Sequence, residues 1–298
     1  MKNILVISEH LKNDKDARGR LYGLKVYDAL VKTGIEITEL KNHNKNVWCR
    51  DYLPVQGAGG RLIHFKYAPQ YMTDTEKWRL RIPDSETIRK EFELFVETEI
   101  TPCYDIILDG GAIEVYEDAA IISDRVFRDN PKQNESELLE KLKTVLGLKK
   151  INVIPQHPYD FTGHVDGLLR FVDADTVLIN DLSGIKSFTK DDLKIPRNKI
   201  TQQWYYSFMG AVLNSGYRIK KLIYTAESNT NNDKSAKGIY MNFLQYDNQI
   251  LMPTFNDAKN DLEAKNRLEE VFKKKIIEIP ATELAAEGGI INCVTWSN

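Results

Sequence analysis

Helix-forming stretches recur along this chain roughly every 60 residues, with short strand-like runs between them, and that rhythm restricts the fold more than any other feature. Apolar residues at helical spacing, bounded by caps and breakers, predict helices over Ala17–Thr33, Asp84–Glu97, Ser136–Leu146, Ile200–Asn214 and Asp257–Lys274. The third is the clearest, because Leu138, Leu139, Leu142, Val145 and Leu146 form one face and Gly147 follows as a terminator. Between the helices, β-type runs occupy Ile35–Leu40, Asp105–Leu108, Ala119–Ser123, Leu168–Val172, Thr176–Ile179, Ile239–Leu244 and Ile276–Ile279. A β-rich unit with one helix cannot bury its sheet face alone, so it gains by packing beside copies of itself. Five such units fill the 298 residues, and no Pro/Gly/Ser-rich linker divides them, so the expectation is one α/β domain over residues 1–298. The Asn- and Ser-rich loop Glu227–Lys237 reads as a surface excursion.

Charge narrows the partners. The formal net charge is −2 and the two signs are interspersed, so the basic footprint needed to hold a phosphate backbone is absent and nucleic acid is not an expected partner. No apolar stretch approaches the roughly 20 residues needed to span a bilayer, which removes a membrane partner of that kind. The short apolar run Ile4-Leu5-Val6-Ile7 lacks the length and cleavage site of a signal peptide, so a cytoplasmic protein is expected. Cys49, Cys103 and Cys293 are odd in number and lack metal-type spacing, which argues against both a disulfide framework and a zinc site. No feature of the sequence sets an oligomeric state.

Four strips place a glycine or aromatic beside an ionisable or nucleophilic side chain at the end of a predicted strand: Trp48-Cys49-Arg50-Asp51, Leu108-Asp109-Gly110-Gly111, Gly163-His164-Val165-Asp166-Gly167 and Gly288-Gly289-Ile290-Ile291-Asn292-Cys293. Asp51, Asp109 and His164 follow one another at 58 and 55 residues, and Cys293 comes 129 residues later, about two periods of the repeat. Equivalent ends of successive units would therefore converge. Each strip alone has a plainer explanation. Arg50-Asp51 reads as an ion pair, Asp109-Gly110-Gly111 as a turn, His164 as a hydrogen-bonded core residue and Cys293 as a small buried hydrophobe.

Together they describe chemistry. A thiol nucleophile needs a proton partner active near neutral pH, which histidine supplies. On a strand, residues two apart share a face, so His164 and Asp166 would both enter a pocket while Val165 turns into the core. Gly288-Gly289 would allow backbone or ligand to approach closely near Cys293, and several aspartates around a Cys/His pair imply a cationic substrate. A papain-like arrangement would instead open a helix near the N-terminus with its thiol. Gly57-Ala58-Gly59-Gly60 lacks the Lys-Ser/Thr ending of a phosphate loop.

These strips resemble the agmatine deiminase and bacterial-type peptidylarginine deiminase branch of the guanidine-modifying (pentein) superfamily. Trp48-Cys49-Arg50-Asp51-Tyr52-Leu53-Pro54 is similar to that family's Trp-x-Arg-Asp-x-x-Pro strip. Gly163-His164-Val165-Asp166-Gly167 with Arg170-Phe171-Val172 resembles its histidine strip, and Gly288 to Thr295 its terminal cysteine strip. Tyr240-Met241-Asn242-Phe243 and Pro253-Thr254-Phe255 are similar to its late structural strips.

The resemblance implies a five-bladed pseudo-symmetric α/β propeller with a central site, and cleavage of a guanidine C–N bond through a covalent thiouronium intermediate without a metal or organic cofactor. It makes Cys293 the nucleophile and His164 the acid/base, with Asp166 counted among the catalytic groups. Asp51, Asp109 and Asp166 would hold the guanidinium, and Trp48, Arg50, Gly288 and Gly289 would line the substrate. Trp48, Trp78, Tyr159 and Phe161 are candidates for an apolar wall. The substrate class is a small-molecule or peptide guanidine. An amidinotransferase would use the same intermediate, and a non-catalytic binding module is the alternative from another class. The chain departs from the family pattern at Asp109, where glutamate is usual, at Asn292, where histidine is common, and in its shorter N-terminus; these departures bear on substrate identity more than on the chemistry.

Overall fold

Five three-stranded sheets, one for each expected repeat, make up the computed structural model, which describes residues 3–41, 44–73, 75–158, 160–182, 195–225 and 234–298. The first sheet holds β1 (Leu5–Ser8) and β2 (Ile37–Leu40). The second holds β3 (Val55–Gln56), β4 (Leu62–Lys66) and β5 (Ile100–Ile107), and the third β6 (Ile113–Tyr116), β7 (Ala119–Ser123) and β8 (Lys150–Ile154). The fourth holds β9 (Leu169–Asp173), β10 (Thr176–Asp181) and β11 (Arg218–Ile223), and the fifth β12 (Leu244–Tyr246), β13 (Gln249–Thr254) and β14 (Lys275–Pro280). The last strand, β15 (Thr295–Ser297), returns to pair antiparallel with β1, setting Val6 opposite Trp296, and so completes the first sheet.

Every sheet follows one plan. Its central strand is antiparallel to one neighbour and parallel to the other. A parallel pair cannot be joined by a tight turn, and the crossovers carry the helices α1 (Leu24–Lys32), α2 (Ser85–Phe92), α3 (Glu135–Leu146), α4 (Ile195–Asn214) and α5 (Ala258–Phe272). The result is a five-bladed α/β propeller closed by strands from both ends of the chain.

α3 shows why the sequence folds this way. The Asn134 side chain accepts from the backbone N–H of Ser136 and Glu137, and Gly147 ends the helix in the left-handed region at φ 70°. Leu138, Leu142 and Leu146 are buried between the second and third sheets with Ile63, Ile106 and Ile122. Each such side chain contributes about 1.5–3 kcal/mol by leaving water. In α5, Asp257 accepts from the Asn260 N–H, and buried Asp261 accepts from the Tyr240 hydroxyl and the Phe255 N–H, tying the helix to the preceding loop.

Three sequence expectations need correction. The first helix begins at Leu24 rather than Ala17, because Asp16 Oδ1 accepts from the N–H groups of Arg18 and Arg20, both at 2.8 Å, and holds a turn there. The second ends at Phe92, and Phe95 folds back edge-on against its ring while Leu94 faces solvent. Ile239–Leu244 is not a strand; pairing begins only at Leu244, because the backbone turns ahead of it, with the Ile239 N–H donating to the Ala236 carbonyl, the Asn242 N–H to the Ile239 carbonyl, and the Asn242 carbonyl accepting from the Asn292 N–H. Of the loop Glu227–Lys237, residues 227–233 lie outside the described residues. No helix among the described residues is long and apolar enough to cross a membrane.

Candidate active site

In each blade a short loop stands immediately before the first strand of the hairpin, and these five loops supply the site. The turn of helix Cys49–Tyr52 precedes β3, and Asp109–Ala112 precedes β6. Residues 163–168 precede β9, 239–243 precede β12, and 288–294 precede β15. They bring together Asp51, Asp109, His164, Asp166, Asn242, Asn292 and Cys293, all buried. The loop at His164 is not a strand end. Gly163 at φ 65° breaks the extended backbone, and the N–H groups of Val165 and Asp166 both donate to the Gly111 carbonyl. His164 and Asp166 still point inward while Val165 enters the core, but a turn rather than strand alternation produces the sidedness.

His164 sits between two carboxylates. Its Nε2 is 3.2 Å from Asp109 Oδ2 and its Nδ1 is 3.6 Å from Asp51 Oδ1. Its backbone N–H donates to Asp160 Oδ2. Gly111 makes the approach possible, since a Cβ there would lie 2.5 Å from His164 Nδ1 and 2.9 Å from Asp51 Oδ1. The Tyr71 hydroxyl donates to Asp109 Oδ2 at 2.9 Å, and its ring packs edge-on against His164 and Phe161 beneath the Arg125 guanidinium. Arg125 is itself held by Asp129 and the Phe161 carbonyl.

Cys293 occupies the other side. Its Sγ lies 3.4 Å from Asn242 Oδ1 and 3.9 Å from Asp166 Oδ2. Asn292 Nδ2 donates to the same Asp166 oxygen at 2.7 Å. Cys49 and Cys103 are not part of this group: Cys49 Sγ faces the Val6 carbonyl and Cys103 Sγ faces Asp105.

Electrostatics follow from burial and these neighbours. Burial alone would lower the pKa of His164, but Asp51, Asp109 and Asp166 together outweigh it and raise it to about 10. Burial, with Asp109 and Asp166 reinforcing it against the pull of His164, pushes Asp51 up to about 7. Burial, followed by the charges of Asp166 and Asp51, holds the Cys293 thiol well above its ordinary range. Asp51 Oδ1 and Asp109 Oδ1 are buried and have no hydrogen-bond partner. Such groups cost free energy unless something donates to them.

The remaining sequence candidates fall around this centre. The Trp48 ring packs on Gly289, where a Cβ would meet it at 2.4 Å, so the close approach at that glycine is by an aromatic ring. Gly288 lies beside Phe161 and the Lys234 carbonyl. Arg50 Nε reaches toward the Asn292 carbonyl at 3.4 Å, and its N–H donates to the Cys293 carbonyl. Trp78 carries Lys77 and Lys234 over its ring, Phe161 is 44% exposed, and Tyr159 lies outside the described residues. Two open grooves of about 530 and 670 Å³ lie elsewhere, one at Glu36 and Tyr246 and one at Lys221 and Glu263, and neither includes a residue of this centre. Sequence reasoning gave Asn242 no chemical role and did not single out Tyr71. The position of Asn242 just ahead of a hairpin was the available signal for the first; Tyr71 carried none.

A propeller of five such blades is the guanidine-modifying, or pentein, architecture. The solved structure of C. jejuni agmatine deiminase superposes with a TM-score of 0.73 at 19% identity, covering 99% of this chain and 92% of that one. Agmatine deiminase of Enterococcus faecalis gives a TM-score of 0.72 at 16% identity, over 99% and 92% of the two chains. The family model of Porphyromonas-type peptidyl-arginine deiminase matches residues 2–298, and this chain belongs to that family. Agmatine deiminase of Medicago truncatula is 26% identical over 220 residues, a match that spans 64% of this chain and 57% of the relative's length.

Proposed function

We propose that this protein is a guanidine deiminase, a hydrolase that cleaves a C–N bond of agmatine, an arginine derivative or a related guanidine and releases ammonia and a ureido product, with residues 1–298 acting as one catalytic unit. The observation that carries this reading is the pair of buried carboxylate oxygens, Asp51 Oδ1 and Asp109 Oδ1, without hydrogen-bond partners in a centre that also holds Asp166 and a thiol. A guanidinium is planar, permanently charged and rich in donors, so it satisfies such oxygens and neutralises their field at once. Membership of the family supports the same substrate class.

In this reading the carboxylates of Asp51, Asp109 and Asp166 orient the guanidinium with its central carbon toward Cys293. The arriving charge offsets the carboxylate field that keeps the thiol protonated, so the thiol passes its proton to Asp166 Oδ2, the nearest carboxylate at 3.9 Å. Sulfur adds to the carbon. His164, held as imidazolium by its two carboxylates, protonates one nitrogen, the C–N bond breaks and ammonia departs, leaving a thiouronium on Cys293. The neutral imidazole then takes a proton from water as its oxygen adds to the same carbon. Collapse breaks the C–S bond, and the proton lost from the resulting protonated urea restores the thiol. The released ammonia carries away the proton first taken by Asp166, so guanidinium and water give urea and ammonium while Cys293, His164 and Asp166 return to their starting states.

The test is a panel of agmatine, arginine, arginyl peptides and simple alkylguanidines, scored for ammonia release with the ureido product identified by mass spectrometry. Release from at least one member supports the proposal. Binding of guanidines without release from any of them would make the propeller a binding module.

A further inference from the structure

Four of the five blade loops place an ionisable or nucleophilic side chain in the centre, and the loop before β12 places an amide there instead. Asn242 is buried, and its Oδ1 accepts from the backbone N–H of Asn292 at 3.1 Å and of Cys293 at 3.4 Å, while the Cys293 Sγ stands 3.4 Å away. The two N–H groups fix which way the carboxamide points, because turning it over would set its NH₂ against them. An oxygen so fixed can accept a hydrogen bond from the S–H but has no hydrogen to offer the sulfur.

We propose that Asn242 is the positioning residue of the nucleophile: its pinned carboxamide oxygen fixes the place of Cys293 Sγ in the centre and binds it in the protonated form. The consequence is a division of labour. The aspartates meet the cation, and Asn242 sets where the sulfur waits and in which ionisation state. The pKa of the thiol, raised first by burial and then by Asp166 and Asp51, acts in the same direction; an amide N–H turned to the sulfur would act against it, but the Asn242 atom at 3.4 Å is Oδ1. A hydrogen bond to the neutral form of an acid disfavours its ionisation.

The geometry also explains why an amide suits this loop. An aspartate would accept from the same two N–H groups but would add a fourth carboxylate against the sulfur. An apolar residue would leave the Cys293 N–H without its acceptor. The role in turnover rests on the deiminase reading, whereas the state of the thiol does not, so the two are tested separately.

The experiment follows alkylation of Cys293 by iodoacetamide as a function of pH in the full chain, with the modified peptide identified by mass spectrometry to separate it from Cys49 and Cys103. Asn242→Asp should move the midpoint upward by about one to two pH units, because a negative charge beside the thiol opposes its ionisation. Asn242→Ala removes the acceptor of the S–H proton and should move the midpoint downward. With guanidine substrate, Asn242→Asp should lose rate chiefly in kcat at neutral pH and regain part of it as the pH rises, whereas a general loss of fold would depress all pH values alike. Parental alkylation midpoints in both folded variants would overturn the proposal, and if one variant does not fold, a parental midpoint in the other does so alone. Alkylation needs no substrate. A parent that releases no ammonia would therefore sink the deiminase reading while leaving this measurement intact.

Discussion

The two sides of the centre are built from different materials. Around His164 the neighbours are charged: Asp51 and Asp109 flank the ring, and Tyr71 and Asp160 hold it through Asp109 and the backbone. Around Cys293 the neighbours are mostly amides, Asn242 on the sulfur and Asn292 on Asp166, with Asp166 itself the one carboxylate in reach. Charge keeps the imidazole protonated; burial first, and then the charges of Asp166 and Asp51, keep the thiol protonated, while Asn242 Oδ1 stands as its acceptor. One fold supplies five equivalent backbone positions, and the side chain at each decides whether that corner stores charge or withholds it. Asp166, which also lies within reach of the sulfur, and Asp51 belong to both sides, because the charge of each bears on His164 and on Cys293.

The largest effect expected comes from removing the sulfur. Cys293→Ser should lower ammonia release at least about 10³-fold, since an alcohol is a far weaker nucleophile without a strong base beside it. Its fold should remain intact by circular dichroism and melting, and Cys103→Ala should retain turnover. Parental activity in Cys293→Ser would end the covalent scheme. Next comes Asp166→Asn, which removes the shared charge nearest the sulfur. Losing one partner of a desolvated charge pair costs about 2–5 kcal/mol, or roughly 30- to 5,000-fold in kcat/KM. The iodoacetamide midpoint of Cys293 should move the other way, downward, because the carboxylate that opposes thiol ionisation is gone. Asp173→Asn, half-exposed on β9, is the control and should change neither readout. If Asp166→Asn leaves both parental, the sides are not linked through it.

Much of the fold was legible because the repeat is a property of hydrophobic spacing. The face of α3, its Gly147 stop and the β7 run at Ala119–Ser123 all follow from local pattern. Legibility failed where tertiary polar contacts override propensity. Ile239–Leu244 has strand composition, yet its backbone turns at residues 239–242 and the Asn242 carbonyl is taken by the cysteine loop, while the Tyr240 hydroxyl anchors to Asp261. The ionisable members of the centre stood out because carboxylates, imidazole and thiol announce chemistry by type. Asn242 did not, since an amide does not titrate, and its importance lies in which two N–H groups orient it. Tyr71 comes from a short helix inside the crossover between β4 and β5, so the period that gathered the other residues passes over it.

The next prediction tests the charged side through pH. His164 is raised to about 10 in the folded state, so between an unfolded value near 6.5 and 10 the folded chain binds more protons than the unfolded one. The stabilisation from imidazolium is therefore complete below about 6.5 and is lost as the pH climbs through 10. Asp51, raised to about 7, adds a fall in stability from roughly pH 4 to 7, because there the folded state holds a proton that the unfolded state has released. His164→Asn should consequently melt below the parent at pH 7, and the gap should narrow by at least about 2 °C on going to pH 10. A gap that stays constant or widens would show that the ring is not held charged. In the same variant, mass spectrometry should find an adduct on Cys293 whose hydrolysis is slowed more than its formation.

The smallest effect is expected from Tyr71→Phe, and it distinguishes the two sides most finely. The substitution keeps the ring that packs against His164 and Phe161 and lies beneath Arg125, and removes only the hydroxyl that donates to Asp109 Oδ2. A hydrogen bond to a charged acceptor contributes about 1.5–3 kcal/mol when its loss is not made good, and the His164 Nε2 contact to the same oxygen will recover part of it. A net loss near 1 kcal/mol corresponds to roughly fivefold in turnover and a fall of about 2 °C in Tm. No neighbour of Cys293 changes, so its iodoacetamide midpoint should stay parental. Loss of turnover with an unmoved thiol midpoint would place Tyr71 wholly on the histidine side. A thiol midpoint that moves with turnover would mean that the two sides are not independent and that the division between charge and amide fails as an account of the site.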